Sequence, residues 1–154
     1  MAEISGLRTL HRLIYVSDQL LRSGSEDEEI GRMIASAVRR NAPLKITGLL
    51  LAHEGKFLQV LEGPAQAVLT TYGRICNDRR HENARVIGAG PVGERAFGDW
   101  HMCARTITPA DDAILATLSG DGRLDLGKLS AEPALRLLMA VRRIQGAVAK
   151  RAAG

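Results

Sequence analysis

The chain has 154 residues, the length of one ordinary domain whose core is large enough to fold without disulfides or metals. Its formal net charge of +4 comes from scattered Lys and Arg with carboxylates between them, so direct binding to nucleic acid is not expected, and without a membrane-span pattern no membrane partner is expected either. Two cysteines without metal-ligand spacing, and no signal-peptide or membrane-span pattern, predict a reducing, cytoplasmic setting.

The first part of the chain predicts one strand and one helix. An apolar strand pattern covers residues 10–17, and the polar stretch after it ends in Ser25 and Glu28, the spacing of a helix capping box. Apolar residues then recur at helical spacing as far as about Asn41. Because proline interrupts a helix, we expect the helix to end before Pro43.

The middle of the chain predicts a hairpin and a second helix. Strand patterns at residues 46–53 and 56–62 are separated only by Glu54 and Gly55, a turn of the length that joins antiparallel strands. A second apolar stripe at helical spacing follows over residues 64–77. We expect the two helices to cover the same face of the sheet.

The last part of the chain predicts two strands and two helices. Strands at residues 85–89 and 100–106 complete the order βαββαββ. One helix starts near Thr108 and another near Ser130, and the latter has an apolar stripe that includes Leu138. We expect these late helices to cover the second face of the sheet or to form a dimer contact, and no linker pattern indicates a second domain.

Gln59 interrupts an apolar strand. Strand alternation puts it on one face with Phe57 and Leu61, in a sheet whose two faces both have the composition of buried surfaces. Burying an amide costs free energy unless a polar group meets it. We therefore expect a polar partner or a ligand beside Gln59, although an amide in a strand can also bond to the backbone at a sheet edge.

Short motifs of distinctive composition follow one another from the first predicted strand to the fifth. In chain order they are Tyr15-Val16-Ser17, Arg39-Arg40-Asn41, ITGLL at 46–50, FLQVLEG at 57–63, Asp78-Arg79-Arg80-His81, RAFGDW at 95–100 and Met102. As an ordered set at these spacings, the motifs resemble the BLUF family of blue-light sensors that bind flavin adenine dinucleotide (FAD). The similarity extends over residues 10–107.

The resemblance implies the fold and the cofactor. The fold class is α+β, a ferredoxin-like βαββαββ sheet with two helices on one face, plus the two C-terminal helices. Residues 1–107 would form the flavin-binding sensor domain, and residues 108–154 a helical extension for output or oligomerisation within the same compact unit. The implied cofactor is FAD, with FMN or riboflavin as possible substitutes.

The resemblance also implies a photoswitch. Tyr15 would donate an electron to the excited flavin, and Gln59 would bridge the phenol to the N5/O4 edge of the flavin. An amide has both a donor and an acceptor, so Gln59 can rotate or change tautomer and present a different group in the light. Asn41 would hold the carbonyl and imide edge of the ring. Ala37 departs from relatives that carry a hydroxyl residue near the ring.

The remaining family positions concern the pyrimidine end of the ring and the output. The resemblance implies that Arg80 and His81 contact the flavin, with Asp78 of the same motif among the cofactor-binding positions. Trp100 and Met102, on the fifth predicted strand, would pass the change at Gln59 to the C-terminal helices.

The partner implied by the resemblance is a downstream signalling protein, and the chain would form a homo-oligomer, a dimer or larger. We expect no enzyme activity, because the residues after the sensor region are too few for a cyclase or phosphodiesterase domain.

Alternatives to a light sensor remain open at this point. Tyr15 alone could be a packing residue of the sheet, and Asn41 alone could be a helix C-cap, since asparagine tolerates the left-handed conformation. An acylphosphatase-like enzyme would need a phosphate-binding loop after the first strand, where this chain has a longer polar segment. A ferredoxin-like interaction module without cofactor would be colourless.

Overall fold

A sheet of five strands runs through the computed structural model, which describes residues 9–20, 26–98, 103–106 and 124–153. In chain order the elements are β1 (Leu10–Gln19), α1 (Glu26–Leu44), β2 (Thr47–His53), β3 (Lys56–Pro64), α2 (Ala65–Cys76), β4 (His81–Pro91), β5 (Cys103–Thr106), a 3₁₀ turn (Leu126–Lys128) and α3 (Ala131–Ala153).

The order of the strands across the sheet is β4-β1-β3-β2-β5. The first four are antiparallel neighbours, and β5 pairs with β2 in parallel. The hairpin between β2 and β3 turns at Glu54 and Gly55, which both have positive φ, 45° and 76°. The predicted α+β, ferredoxin-like fold and its βαββαββ order are confirmed. The predicted helix that starts near Thr108 lies outside the described residues.

The two faces of the sheet are covered by different helices. The cavity face, which bears Tyr15, Gln59 and Leu61, packs against α1 and α2. The opposite α3 face, which bears Leu58 and Val60, packs against α3 and the 3₁₀ turn. Both predictions about helix placement are therefore confirmed for the described helices: two lie on one face, and the last helix covers the other.

The end of α1 differs from the prediction that it stops before Pro43. The helix passes through Pro43 and ends at Leu44. Proline has a φ compatible with a helix. In the last turn, its missing N–H removes one hydrogen bond but does not end the helix. Lys45, with φ of 58°, reverses the backbone, so that the N–H of Ile46 donates to the carbonyl of Asn41 at 3.0 Å. This is the hydrogen bond of a Schellman motif.

The fourth strand is longer than predicted, because β4 starts at His81 and not at residue 85. It is an edge strand whose residues are largely exposed, so an alternating apolar pattern is not required there. Its pairing with β1 also contains irregularities, between Ile14 and Tyr15 and between Val16 and Asp18, which interrupt the alternation further.

Gly63 allows the end of α1 to lie close to β3. A Cβ atom at this position would be 2.9 Å from the carbonyl oxygen of Lys45 and 2.9 Å from Cδ1 of Ile46. Glycine therefore permits an approach that any other residue would obstruct. The contact fixes the last turn of α1, and with it Asn41, against the sheet.

Candidate functional site

A cavity of about 360 Å³ lies on the cavity face, with walls from α1, α2, four strands and the turn before β4. Its volume and its mixture of apolar walls with few polar groups are typical of a small-molecule site. The lining residues are Tyr15, Met33, Ile34, Ser36, Ala37, Arg40, Asn41, Leu50, Gln59, Leu61, Thr71, Arg74, Ile75, Asn77, Asp78, Arg80 and His81.

Tyr15 and Gln59 are brought together by the register of two strands. They are direct partners across β1 and β3, and their side chains are 2% and 6% exposed. The Tyr15 hydroxyl donates a hydrogen bond to Oε1 of Gln59. Burial raises the pKa of the Tyr15 phenol well above its usual value, so the hydroxyl keeps its proton at neutral pH. The polar partner expected for Gln59 is thus Tyr15.

Asn41 lies in the cavity wall with a buried side chain. Its backbone carbonyl closes the end of α1, while Lys45 adopts the left-handed conformation. The interpretation of Asn41 as a left-handed C-cap is therefore wrong, and its amide is positioned on the cavity side of the last helical turn.

The turn before β4 holds a pair of opposite charges in the cavity wall. Asp78 accepts hydrogen bonds from Arg80, with Nε to Oδ1 at 2.9 Å and a terminal nitrogen to Oδ2 at 2.5 Å. The bonds from Arg80 lower the pKa of the Asp78 carboxyl, and the same bonds raise the pKa of Arg80. Asp78 therefore fixes the orientation of the guanidinium.

His81 lies at the start of β4, where it is buried and close to two aromatic rings. Its Nδ1 is 2.9 Å from Oγ of Ser17. The ring meets Phe57 edge-on at a centroid distance of 6.0 Å and is 6.1 Å from the ring of Tyr15. Burial lowers the pKa of His81, so the imidazole is neutral at neutral pH.

The structure brings together the predicted site residues that it describes, and all six of them line one cavity: Tyr15, Asn41, Gln59, Asp78, Arg80 and His81. Trp100 and Met102 lie outside the described residues.

Several lining residues were not identified from the sequence. Thr71 shares the buried side of α2 with Val68, whereas Leu69 is 60% exposed. Tyr72 is also close to Tyr15, with a distance of 5.4 Å between the two ring centroids. The helical spacing of Val68, Thr71 and Ile75 would have pointed to Thr71 as a polar group on an apolar face.

The chemistry of these side chains fits a flat ligand with a polar edge, such as a flavin ring. Asn41 and Gln59 offer amides that donate and accept, and Arg80 offers a guanidinium fixed in position. Thr71 adds a buried hydroxyl that has no hydrogen-bond partner among the described residues. Within the described ranges, no group of three or more His, Cys, Asp or Glu side chains is arranged to hold a metal ion.

The chain matches the family described as BLUF, sensors of blue-light using FAD, over residues 10–103. It is 39% identical over 114 residues to the photoactivated adenylate cyclase subunit beta of Euglena longa, an alignment that covers 73% of this chain and 12% of that protein. It is 37% identical over 89 residues to the blue light- and temperature-regulated antirepressor BluF of Escherichia coli K12, covering 58% of this chain and 22% of that protein.

Solved structures show the same fold. The dark-state structure of BlrB, a BLUF protein, matches with a TM-score of 0.72 and 29% identity, covering 88% of this chain and 98% of that chain. Across the part of this chain that the structure describes, no helix has the length and apolar character needed to cross a membrane.

Proposed function

We propose that this chain, which belongs to the BLUF family of blue-light sensors using FAD, is a blue-light receptor that switches through Tyr15 and Gln59. The observation that carries the proposal is the hydrogen bond from the Tyr15 hydroxyl to the Gln59 amide in the wall of the cavity. This hydrogen bond links Tyr15, whose phenol can be oxidised, with Gln59, whose amide can present either a hydrogen-bond donor or an acceptor.

The proposed switch couples the loss of an electron from Tyr15 to the transfer of its proton to Gln59. A bound flavin supplies an excited state that accepts one electron after absorbing blue light. Tyr15 gives up that electron, and its hydroxyl proton leaves along the hydrogen bond to Oε1 of Gln59. In exchange, Gln59 would release a proton from its nitrogen to the ring that took the electron, or it would rotate its amide. When the electron and a proton return to Tyr15, Gln59 presents a changed hydrogen bond to the cavity.

The buried environment prepares Tyr15 for this role. Because burial raises the pKa of the phenol, the proton stays on Tyr15 until the residue is oxidised. The neutral imidazole of His81 lies near the same ring and adds no charge beside it. The donor in the dark is therefore a neutral phenol with its proton already directed at Gln59.

The other lining residues would hold the cofactor. Asn41 would bond the carbonyl and imide edge of the ring, and Arg80, oriented by Asp78, would donate to a ring carbonyl. Arg40 and Arg74 are exposed residues of the cavity wall, and their guanidinium groups could bind the phosphate groups of the cofactor. We therefore expect FAD and FMN to bind more tightly than riboflavin, which a comparison of the three affinities tests.

Output would pass from Gln59 to the edge of the sheet. Leu50 is the β2 partner of Gln59 and also the partner of Ala104 on β5, so one row of residues crosses from the switch to β5. Trp100 and Met102 precede Ala104 in the chain, and we propose that they report the change at Gln59.

We further propose that residues 1–107 form the sensor and residues 108–154 an extension used for output or for a homo-oligomer. The chain would act without an enzyme activity of its own, in the cytoplasm, by binding a downstream protein. Two similar proteins are named as a cyclase subunit and an antirepressor, which supports signalling to an effector of some kind.

Absorption spectra before and after blue illumination test the proposal. The purified chain should be yellow and show a small, reversible red shift. Gln59→Leu and Tyr15→Phe should keep the flavin and lose the shift, because each removes one side of the hydrogen bond. Tyr72→Phe, a matched control for a nearby phenol, should keep the shift.

Two results would contradict the proposal in different ways. A normal red shift in Gln59→Leu or Tyr15→Phe would overturn the switch mechanism while leaving a flavin-binding protein. A colourless protein that cannot be reconstituted with FAD, FMN or riboflavin would favour an interaction module without cofactor.

A further inference from the structure

The hydroxyl of Thr71 is not accounted for by the packing of the fold. Thr71 lies within α2, its side chain is 6% exposed, and Oγ1 has no hydrogen-bond partner among the described residues. A threonine within a helix can donate to a backbone carbonyl one turn earlier, but Thr71 does not make that bond. A buried hydroxyl without a partner destabilises a fold, so it is rare without a reason.

The position of Thr71 supplies a reason. The residue lines the same cavity as Tyr15 and Gln59, which are bonded to each other. In the described part of the cavity wall, Thr71 Oγ1 is the buried side-chain polar atom that the protein leaves without a partner. A ligand in the cavity can provide that partner.

We propose that Thr71 is a cofactor-binding residue whose hydroxyl hydrogen-bonds a polar atom of the flavin ring, a carbonyl oxygen or a ring nitrogen. The inference rests on the proposed function, because it takes the ligand to be a flavin. It adds a contact from α2 to the contacts proposed for Asn41 and Gln59, so that both helices on the cavity face would bond the ring.

Substitution by valine separates a ligand contact from a structural one. Valine has nearly the shape of threonine and lacks only the hydroxyl. If Oγ1 has no partner in the protein, Thr71→Val breaks no bond in the flavin-free chain, and its thermal stability should stay equal or increase. The same substitution removes a bond to the flavin, so affinity should fall. If Thr71 were only structural, its replacement by valine would instead lower the thermal stability of the flavin-free chain.

The experiment is a fluorescence titration of the full flavin-free chain with FAD, together with thermal unfolding of the same samples. Thr71→Val should weaken binding by about three- to tenfold, the effect of one neutral hydrogen bond, and shift the dark absorption band. Thr71→Ser keeps the hydroxyl and should bind like the original chain. Thr70→Val is the matched control, since Thr70 is exposed on the same helix and accepts from Gln66 at 3.3 Å.

The outcomes separate this inference from the proposed function. If the original chain binds FAD and Thr71→Val binds it equally well, only the role of Thr71 is overturned. If the flavin-free Thr71→Val chain is less stable while Thr71→Ser is not, Thr71 is structural and the inference also fails. If the original chain takes up no flavin, both proposals fail together. Should Thr71→Val not fold, Thr71→Ala also lacks the hydroxyl and should show the same loss of affinity.

Discussion

The cavity face and the α3 face of the sheet each bury a polar side chain of β3, and the surroundings of these two side chains differ. On the α3 face, Glu62 is 0% exposed and accepts hydrogen bonds from Nε of Arg12 at 2.8 Å and from the backbone N–H groups of Ala96 and Phe97. On the cavity face, Gln59 accepts from Tyr15 beside a cavity.

The difference shows that burial of a polar residue is a weak guide to function by itself. Glu62 has a full set of donors from the protein and ties β3 to β1 and to the segment that follows β4. Its role is explained by structure alone. Gln59 and Thr71 line a cavity, and the hydroxyl of Thr71 lacks a protein partner. What distinguishes Glu62 from Thr71 is that the described residues alone supply hydrogen-bond partners to the Glu62 carboxylate and none to the Thr71 hydroxyl.

The largest effect on stability is expected on the α3 face, at Glu62. Glu62→Gln should lower the free energy of unfolding by about 3–5 kcal/mol, because it leaves the partly buried Arg12 without its counter-charge and puts an amide against two N–H donors. Urea unfolding measures the loss. Glu82→Gln, an exposed carboxylate on β4, is the control and should change stability by about 0.5 kcal/mol or less.

A loss below about 1 kcal/mol in Glu62→Gln would mean that the buried carboxylate is not the anchor we infer, since breaking a buried pair normally costs several times more. The folded variant should keep the light-induced shift, because Glu62 faces away from the cavity.

A second effect is expected where α3 packs on the sheet. From the sequence, Leu138 could contact either the sheet or another protein, and the structure buries it in the core of the α3 face. Leu138→Ala should lower the free energy of unfolding by about 2–5 kcal/mol through the cavity it leaves. Met139→Ala, at an exposed neighbouring position, should have a small effect.

Spectroscopy of the same two variants tests the separation of the faces. Both should retain flavin binding and the light-induced shift if they are folded. Loss of colour in folded Leu138→Ala would show that α3 supports the cavity through the sheet, which would contradict the independence of the two faces.

The fold was largely predictable because its strands alternate cleanly. The patterns at residues 46–53 and 56–62 predict the hairpin that is observed as Thr47–His53 and Lys56–Pro64. The errors arose where local rules compete with context. Pro43 is tolerated because it lies in the last turn of α1, and the polar start of β4 gives no strand pattern because an edge strand can remain exposed.

The site was only partly predictable, for a different reason. Gln59 stands out because an amide in a strand of apolar residues is unusual. The family resemblance then predicts the other site residues, such as Tyr15 and Asn41. Helical spacing places Thr71 on the apolar face of α2, but a threonine there is ordinary until its hydroxyl is known to be buried and without a partner. The structural role of Glu62 could not be predicted from its place at the end of a strand pattern. Its hydrogen-bond donors come from Arg12 and from the segment after β4, which are distant in the sequence.

The smallest effect is expected at His81, which tests the cavity face by pH. Burial makes the pKa of His81 lower in the folded chain than its ordinary value of 6.5. The folded state therefore binds this proton less readily than the unfolded state. The stability associated with the neutral imidazole is complete above pH 6.5 and decreases as the pH falls from there toward the folded-state pKa.

Replacement of His81 isolates this contribution. The free energy of unfolding of the original chain should fall as the pH is lowered from about 7 to about 5, with a slope from His81 below about 1.4 kcal/mol per pH unit, the limit for one proton. Burial is the largest influence on the pKa of His81 and lowers it. The charge of Asp78 raises this pKa and the charge of Arg80 lowers it, and the net shift is downward. His81→Gln should give a flatter profile, measured by urea unfolding at each pH. Identical profiles for the two chains would mean that burial does not lower the pKa of His81, and the imidazole near Tyr15 would then take up its proton near the ordinary value of 6.5.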